Sequence, residues 1–457
     1  MNQMENHERR MDTTLERIRT ALETDRVDDA VMILVHTHPA DRAEIFNLLD
    51  ENEQDLLLPR LDLSSIADLL EELEDNEAVE AVEDFTSSRL ADVLDQMEPD
   101  EAADLLGDLP DDQVSEVLAE MEDADEVIPL LGYPDETAGG RMTTSYITLR
   151  PQMTVEQALV FLRQTHPDAE TPYYLFVTNL NRVLVGVVGL RELVTALPET
   201  TIDHIMKTDV VSVQAGMDQE EAADVLRRYN LAAIPVVDEQ HHLLGVITRD
   251  DVLEVLEAET TEDILHQSAV ESGRLNDRPY WSQRISETAR SRIIWLLTLF
   301  IAETLTGTIL RQYEAELKSV ISLAFFVPLL IGTGGIAGSQ TMATVIRAIT
   351  LKEIRAHDLP RVLAREAFTG LLLGLLVGVV AFGRAYLWGV GIQMAITVAV
   401  TIVLTCLWAT TVASLLPLLA NQLRIDPTVV SGPLMMTLID VTGLALYFSL
   451  AVAILRL

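Results

Sequence analysis

The sequence contains almost no cysteine and very little lysine. Its one cysteine, Cys406, lies inside an apolar run, so a single chain builds neither a disulfide framework nor a thiolate metal site. Lys207, Lys318 and Lys352 are the three lysines of a 457-residue chain with 72 aspartates and glutamates. The formal net charge of -40 repels nucleic acid and anionic lipid, so we predict no nucleic-acid partner.

Motifs for catalysis and export are also missing. No phosphate loop, nucleophile-base pair or histidine-rich metal motif occurs, and we therefore predict that the chain is not an enzyme. The amino terminus has Glu5 and Glu8 in a polar string instead of the basic-then-apolar pattern of a cleaved signal peptide. We expect the soluble part to stay in the cytoplasm.

The acidity is confined to one part of the chain. Residues 291–457 contain 11 Lys and Arg and 8 Asp and Glu, so the negative charge lies before residue 291. Such a surface attracts cations or basic proteins. An acidic, lysine-poor surface is also typical of adaptation to high salt, which leaves local clusters free to bind metal.

A short phrase recurs between residues 45 and 131 and predicts an acidic helical-repeat domain over residues 1–135. Pro99 and Pro110, each followed by acids, mark helix starts. Apolar pairs every three or four residues predict one buried stripe per helix, with carboxylates outside. The four copies are Ala67-Asp-Leu-Leu, Ala91-Asp-Val-Leu, Ala103-Asp-Leu-Leu and Ser115-Glu-Val-Leu.

Residues 136–256 show short β-branched runs that alternate with amphipathic helices, and the pattern occurs twice. The second unit has the runs 233–237 and 243–248 and a helix from Asp250. Ile205-Met206 followed by Val210-Val-Ser-Val, with Ile234-Pro-Val-Val-Asp, resembles a tandem pair of cystathionine-β-synthase (CBS) domains. We therefore predict an α/β CBS pair here.

A polar linking helix is predicted over residues 257–290, before a five-span all-α transmembrane pore domain over residues 291–457. The fold class is thus a multi-domain membrane protein in a lipid bilayer. Basic residues flank the first span and the loop after the second, which places the amino terminus in the cytoplasm and the carboxyl terminus outside the inner membrane. The predicted spans are residues 293–310, 320–349, 368–388, 392–419 and 429–455.

A glycine-rich stretch follows Pro328 in the second span. Its glycines, Gly334 and Gly338 among them, allow two interpretations. Exposed backbone carbonyls would line an ion path. Close packing between helices through small residues would use the same glycines.

Two carboxylates lie inside predicted spans. Asp440 is about twelve residues into the last span, where a charge costs several kcal/mol unless it is hydrated, paired or metal-bound. In a two-fold homodimer, two copies facing one axis would repel each other, and a divalent cation would relieve the repulsion. Mg2+, which keeps its water, suits such a site. A proton relay is the alternative; for Glu303, in the first span, burial, protonation and a wet vestibule all remain open.

A third acidic group lies around the end of the CBS pair. Glu254, Glu257 and one of Asp250 or Asp251 share a helical face, where like charges repel. Either a cation neutralises them or the face is simply solvated.

Taken in order, these segments resemble the MgtE family of magnesium transporters. Shared phrases include Asp168-Ala-Glu-Thr, Ala324-Phe-Phe-Val-Pro and Asp440-Val-Thr-Gly. The resemblance implies a homodimeric Mg2+ channel with its pore on the two-fold axis, Asp440 holding hydrated Mg2+, and closure by cytosolic Mg2+. The regulatory metal ligands that it implies are Asp218, Glu220, Asp251, Glu254, Glu259, Glu262 and Asp263.

The chain departs from the family pattern at several positions. Ile336, Ser339 and Gly432 replace asparagines of many relatives, which puts a strict preference for Mg2+ over Mn2+, Co2+ or Ca2+ in doubt. Asn230 replaces a family acid. A Ser/Thr-x-x-Asp phrase that accompanies ATP binding in some relatives is intact at Thr248-Arg-Asp-Asp and absent at Gly189-Leu-Arg-Glu.

Two other functions remain open on the sequence. One is an exchanger of a divalent cation for H+ or Na+, with Glu303 and Asp440 as coupling carboxylates. The other is a non-conducting membrane receptor whose CBS pair senses a nucleotide and whose spans only anchor it.

Overall fold

The computed structural model describes residues 2–73, 75–165, 174–270, 285–423, 427–429 and 432–456. Its contacts divide the chain into two compact units, Met1–Glu259 and Thr260–Leu457. The first unit combines a helical domain with two small sheets, and the second is helical.

Short amphipathic helices form the start of the first unit, as the repeat predicts. The recurring phrase lies in four of them, and its apolar positions are buried, as Ala67 and Leu70 show. Pro99 begins one helix and Pro110 caps the next, which confirms both predicted starts. The helices are α1 (Asn2–Glu23), α2 (Val27–Val35), α3 (Pro39–Asn47), α4 (Glu51–Leu57), α5 (Leu63–Leu70), α6 (Asp75–Val82), α7 (Ser87–Leu94), α8 (Pro99–Gly107), α9 (Asp111–Glu120) and α10 (Ala124–Val127).

Two three-stranded sheets with the same topology follow. In each, the first two strands pair in parallel and the last two antiparallel, and a register irregularity falls at the same place, after Val177 and after Val236. This repetition confirms the predicted CBS pair. The elements are β1 (Thr148–Leu149), α11 (Val155–Thr165), β2 (Tyr174–Thr178), β3 (Leu184–Gly189), α12 (Leu190–Thr195), α13 (Ile202–Ile205), β4 (Val213–Gln214), α14 (Gln219–Tyr229), β5 (Ala233–Val237) and β6 (Leu243–Thr248).

The two CBS units exchange short segments. Thr143, before the first sheet, bridges to Val246 in the second sheet, and Lys207, between the two sheets, bridges to Val187 in the first. A glycine on the receiving strand makes room each time. A Cβ on Gly245 would lie 2.6 Å from Met142, so only a residue without a side chain fits that crossing.

A long helix, α15 (Arg249–Gln267), continues from the second CBS unit into the start of the predicted linking segment. Residues 271–284 of that segment lie outside the described part, as does the Asp168-Ala-Glu-Thr phrase. The chain resumes as α16 (Ile285–Gln312), which already contains the first span.

Among the described residues of the second unit, five helices are long and apolar enough to cross a membrane, which confirms the predicted number. Their spanning segments are Thr288–Gln312, Ile321–Thr350, Leu359–Leu387, Ile392–Gln422 and Gly432–Leu455. The helices are α16, α17 (Glu314–Ser319), α18 (Val327–Thr350), α19 (Leu359–Leu387), α20 (Ile392–Gln422) and α21 (Gly432–Leu455).

The glycine-rich stretch is part of an unbroken helix, α18. A Cβ on Gly334 would lie 2.8 Å from Thr405 and 2.9 Å from Ile439, and one on Gly338 would lie 2.5 Å from Ile439. The structure therefore favours close packing over exposed backbone carbonyls, because these glycines let α18 approach α20 and α21.

A second glycine series, which the sequence analysis did not use, joins α19 to α20. Gly370, Gly374 and Gly378 recur every fourth residue and are buried. A Cβ on Gly374 would lie 2.8 Å from the Cα atom of Val403. This spacing is the small-residue signature of helix pairs that pack closely in lipid, and it was available in the sequence.

Candidate functional site

The membrane carboxylate Asp440 lies on α21 beside the contact of three helices. Ile439 packs against two glycines of α18, and Gly443, one turn after Asp440, packs against Thr405 of α20. The Oδ1 atom of Asp440 is buried and has no hydrogen-bond partner among the described residues. A carboxylate oxygen in this position is available to a cation or to water.

A second buried oxygen belongs to Thr405 of the neighbouring helix α20, which packs against Gly443, one turn after Asp440. Thr405 is 1% exposed, and its Oγ1 atom has no partner within the described ranges. Two other threonines of α20 satisfy theirs, since Thr401 donates to the Thr397 carbonyl at 2.7 Å and Thr397 donates to the Gln393 carbonyl at 2.9 Å. Sequence reasoning missed Thr405, because its importance comes from the glycines that face it.

The second membrane carboxylate, Glu303, comes from α16, which packs along α21. Its charge lies close enough to Asp440 to interact with it electrostatically. The structure therefore brings together the two membrane acids that the sequence could only place in separate spans.

The three positions that depart from the family pattern lie on α18 and α21. Ile336 is 60% exposed on α18 of the single chain and Ser339 is half-buried one turn later. Gly432 is the first residue of α21, while Ser431 before it lies outside the described residues.

In the first unit, Met1–Glu259, which we call the soluble unit, carboxylates of the helical domain lie near carboxylates of α15. Desolvation is the main cause of the raised pKa values here, and neighbouring carboxylates add to it. The pKa of Asp100, which is 6% exposed, is raised to about 6. The pKa is raised to about 8 for Glu98, to about 10 for Glu101 and to about 7 for Glu254. Asp251 also has a raised pKa. The sequence predicted the two acids of α15, but the partners on α8 could not be chosen among so many acids.

Two of the predicted metal ligands also have structural hydrogen bonds. Asp218 caps α14, since its Oδ1 accepts from the Glu220 amide at 2.9 Å. The Oδ2 atom of Asp251 accepts from the Thr248 amide at 2.8 Å. Asn230 ends α14 in the left-handed conformation, with φ of 51°, which asparagine tolerates better than most residues.

One arginine offsets part of the acidic charge. Arg141 forms a 3.1 Å ion pair with Asp104 of α8 and donates to Gln219, whose amide donates to Glu259 at 2.7 Å. Glu259 therefore belongs to this network. The remaining predicted ligands are Glu220, Glu262 and Asp263, and each makes further interactions. The carboxylate of Glu262 lies 3.5 Å from His266.

Within the described ranges, no three Asp, Glu, His or Cys side chains converge closely enough to form a ready metal site. The regulatory ligand set therefore remains a prediction. What the structure provides is a concentration of carboxylates that are costly to ionise together.

The fold and these sites define an integral membrane protein in which an acidic, CBS-containing unit precedes an apolar five-helix domain with paired carboxylates. Sequence profiles of known families agree. A divalent cation transporter family, MgtE, matches residues 327–450, the MgtE intracellular N domain matches 37–136, and CBS domains match 138–199 and 202–258. The chain belongs to the MgtE family of divalent cation transporters.

Individual relatives agree over most of the chain. It is 42% identical over 326 residues to a magnesium transporter MgtE of Thermus thermophilus, which covers 71% of this chain and 72% of that protein. The MgtE of Enterococcus faecalis is 33% identical over 333 residues, 73% of this chain and 72% of the relative.

The soluble unit also resembles solved structures. The soluble part of a magnesium transporter is 33% identical, with a TM-score of 0.50, and covers 55% of this chain and 99% of its own. The cytosolic domain of the Mg2+ channel MgtE in complex with ATP has the same identity and TM-score and covers 53% of this chain.

Proposed function

We propose that the chain is a homodimeric, Mg2+-gated channel or transporter that mediates Mg2+ uptake across the cytoplasmic membrane. The observation that carries the proposal is the buried Oδ1 atom of Asp440 in the last span, which has no hydrogen-bond partner in the part of the chain that the structure describes. The relatives named magnesium transporters support the choice of ion. Five spans, with basic residues before the first and after the second, support a carboxyl terminus outside the cell.

The chemistry of Mg2+ fits a site with few charged ligands. Mg2+ gives up water reluctantly and is commonly held through its hydration shell by one or two carboxylates. Two copies of Asp440 across a two-fold axis would hold such a hydrated ion, and hydroxyl and carbonyl oxygens nearby would accept hydrogen bonds from its water. Ile336 and Ser339 would then adjoin the path without the amides of many relatives.

The direct test is Mg2+ flux into liposomes containing the full chain. We expect Asp440→Asn to lower flux by about a hundredfold, because it removes the charge at closest approach to the ion. Glu353→Gln removes a charge from an exposed position before α19 and serves as the matched control, with flux unchanged. Wild-type liposomes without Mg2+ flux would contradict the proposal, and a panel of Mn2+, Co2+ and Ca2+ would measure selectivity.

The acidic surface between α8 and α15 supports the regulatory part. Cytosolic Mg2+ bound there would offset repulsion among Glu98, Glu101, Asp251 and Glu254 and favour the compact, closed state. Low Mg2+ would let the carboxylates separate and open the pore. Limited proteolysis of the full chain across a Mg2+ titration tests this gate, and equal cleavage at every concentration would refute it.

ATP binding at the second CBS unit is a further part of the proposal. The cytosolic domain of a related channel was solved with ATP, and the phrase that begins at Thr248 is intact here. Thr248 is buried beside Asp251, whose Oδ2 atom accepts from the Thr248 amide at 2.8 Å. We expect Thr248→Val to weaken ATP binding measured by titration calorimetry, whereas Thr195→Val, on an exposed turn of α12, leaves it unchanged.

A second candidate function follows from the proximity of Glu303 to Asp440. Two interacting carboxylates in a membrane would also suit an exchanger that couples the transport of a divalent cation to the transport of H+ or Na+. Flux that stops when the proton or sodium gradient is removed would select this mechanism over a channel. A wild-type protein that neither conducts Mg2+ in liposomes nor restores growth to a Mg2+-starved, transporter-deficient strain would favour a non-conducting receptor.

A further inference from the structure

The heights of residues on α16 and α21 can be compared through an aromatic contact. Tyr313 stacks on Phe448 with ring centroids 5.0 Å apart, and its hydroxyl lies 3.3 Å from Ser449. The first and fifth spans run in the same direction if the chain crosses five times. Counting back from this contact at about 1.5 Å per residue puts Glu303 about 3 Å in height from Asp440.

By the same count, Thr306 lies about 1.5 Å from the height of Asp440 and about 4.5 Å from the height of Glu303. It is 6% exposed on a helix whose side chains are otherwise mostly exposed, so it belongs to the face that packs on α21. Its Oγ1 atom has no hydrogen-bond partner within the described ranges. The hydroxyls of Thr304 and Thr308, on the outer part of the same helix, do donate to backbone carbonyls, at 2.6 Å and 2.9 Å. The hydroxyl of Thr306 is therefore free to bind a ligand.

Three oxygen-bearing groups on α16 and α21 of one chain thus lie at similar heights. Two are carboxylates that interact with each other electrostatically, and the third is a buried hydroxyl without a hydrogen-bond partner among the described residues. Two negative charges at one level of a membrane repel each other unless a cation lies between them. Carboxylate and hydroxyl oxygens suit a hard divalent ion.

We propose that Glu303, Thr306 and Asp440 form a lateral divalent-cation subsite between the first and fifth spans. This subsite rests on the proposed function of Asp440 in ion transport and adds the first span to the ion path. Glu303 holds the ion from one side and Asp440 from the other, while Thr306 accepts a hydrogen bond from its hydration water or contacts it directly.

The test measures Mn2+ bound to the full chain in detergent by electron paramagnetic resonance. We expect Glu303→Gln to weaken one Mn2+ site per chain about tenfold or more, and Asp440→Asn to weaken the same site. Thr306→Val is expected to have a smaller effect of the same kind. The matched controls are Glu314→Gln, an exposed acid paired with Lys318 beyond the span, and Thr308→Val.

The flux assay separates this inference from the proposed function. We expect Glu303→Gln to raise the Mg2+ concentration at half-maximal flux several-fold. Mn2+ binding and flux equal to wild type in Glu303→Gln, with the loss confined to Asp440→Asn, would overturn the subsite. A wild-type protein without Mg2+ flux would instead contradict the proposed function, and the Mn2+ titration would still decide the subsite.

Discussion

The two units of the chain place carboxylates in opposite settings. In the soluble unit, acids are abundant, and several from α8 and α15 crowd together with raised pKa values. In the apolar unit, acids are rare, and Asp440 and Glu303 are close to each other among packed helices. The comparison teaches that ionisation is costly for different reasons in the two units: many carboxylates crowd together in one, whereas two carboxylates lie in an apolar region of low dielectric in the other.

The two units also differ in how their helices pack. Small residues bring α19 and α20 together so closely that a Cβ has no room at Gly374. The helical domain instead packs leucine and alanine stripes, among them Leu69 and Leu90, beneath an acidic surface. The apolar unit therefore tolerates added volume poorly, and the soluble unit is sensitive chiefly to charge.

The largest effect is expected from Gly374→Val in the apolar unit. The new side chain would meet the backbone of Val403, and we expect a loss of stability of about 3 kcal/mol, because overpacking displaces the helix. Thermal unfolding of the detergent-solubilised protein measures it. Gly383→Val is the matched control on the same helix, since nothing lies within 4 Å of its Cβ position. Equal unfolding temperatures for the two variants would contradict the packing argument.

The next largest effect is the pH dependence of the soluble unit without Mg2+. Its acids have folded pKa values above their unfolded values, so the folded state binds more protons, and its stability falls as pH rises from about 4.5 towards 8. Hydrogen exchange of α8 in the full chain, corrected for its intrinsic pH dependence, measures this.

Saturating Mg2+ should flatten that dependence, because the ion replaces protons as the neutralising charge. A soluble unit that becomes more protected as pH rises would contradict the direction of these pKa shifts.

A smaller effect is expected from a change at a single acid of the carboxylates on α8 and α15. We expect Asp100→Asn to stabilise the Mg2+-free soluble unit at pH 7.5 by about 2 kcal/mol, because a buried charge with a pKa of about 6 is removed. Hydrogen exchange of α8 and α15 reports it. The matched control is Asp112→Asn on the exposed start of α9, which we expect to change nothing. Destabilisation by Asp100→Asn would show that its hydrogen bonds outweigh its desolvation.

The smallest effect is expected from Asn230→Asp, which restores a family acid. The left-handed end of α14 accepts either residue, so stability should change by only a few tenths of a kcal/mol. If this position takes part in regulation, the Mg2+ concentration that protects the chain from proteolysis should fall about two- to threefold. Asn179→Asp, in the turn after β2, is the control. An unchanged midpoint would remove this position from the regulatory surface.

Much of the architecture was predictable from the sequence because it follows from local periodicity. The recurring phrase set the helices around Ala67 and Ala91, and the alternating runs set β5 and β6 to the residue. The number of spans followed from apolar length alone. These features depend on neighbours within one or two turns of chain, and the sequence records such neighbours directly.

The candidate sites were predictable only in part. The cost of a charge in lipid singled out Asp440, but the sequence left Glu303 open and gave no reason to choose Thr306 or Thr405. The glycines after Pro328 supported two interpretations until their helix was seen to be continuous against Ile439.

The sequence by itself determined the order of domains, the five spans, the confinement of the negative charge to the soluble unit and the presence of a carboxylate inside the membrane. Only the tertiary structure decided which acids of α8 face α15 and that Glu303 interacts electrostatically with Asp440. It also decided that the hydroxyls of Thr306 and Thr405 lack partners among the described residues. The physical reason is that burial and repulsion depend on distances between segments far apart in the chain. Composition and spacing along the chain do not contain those distances.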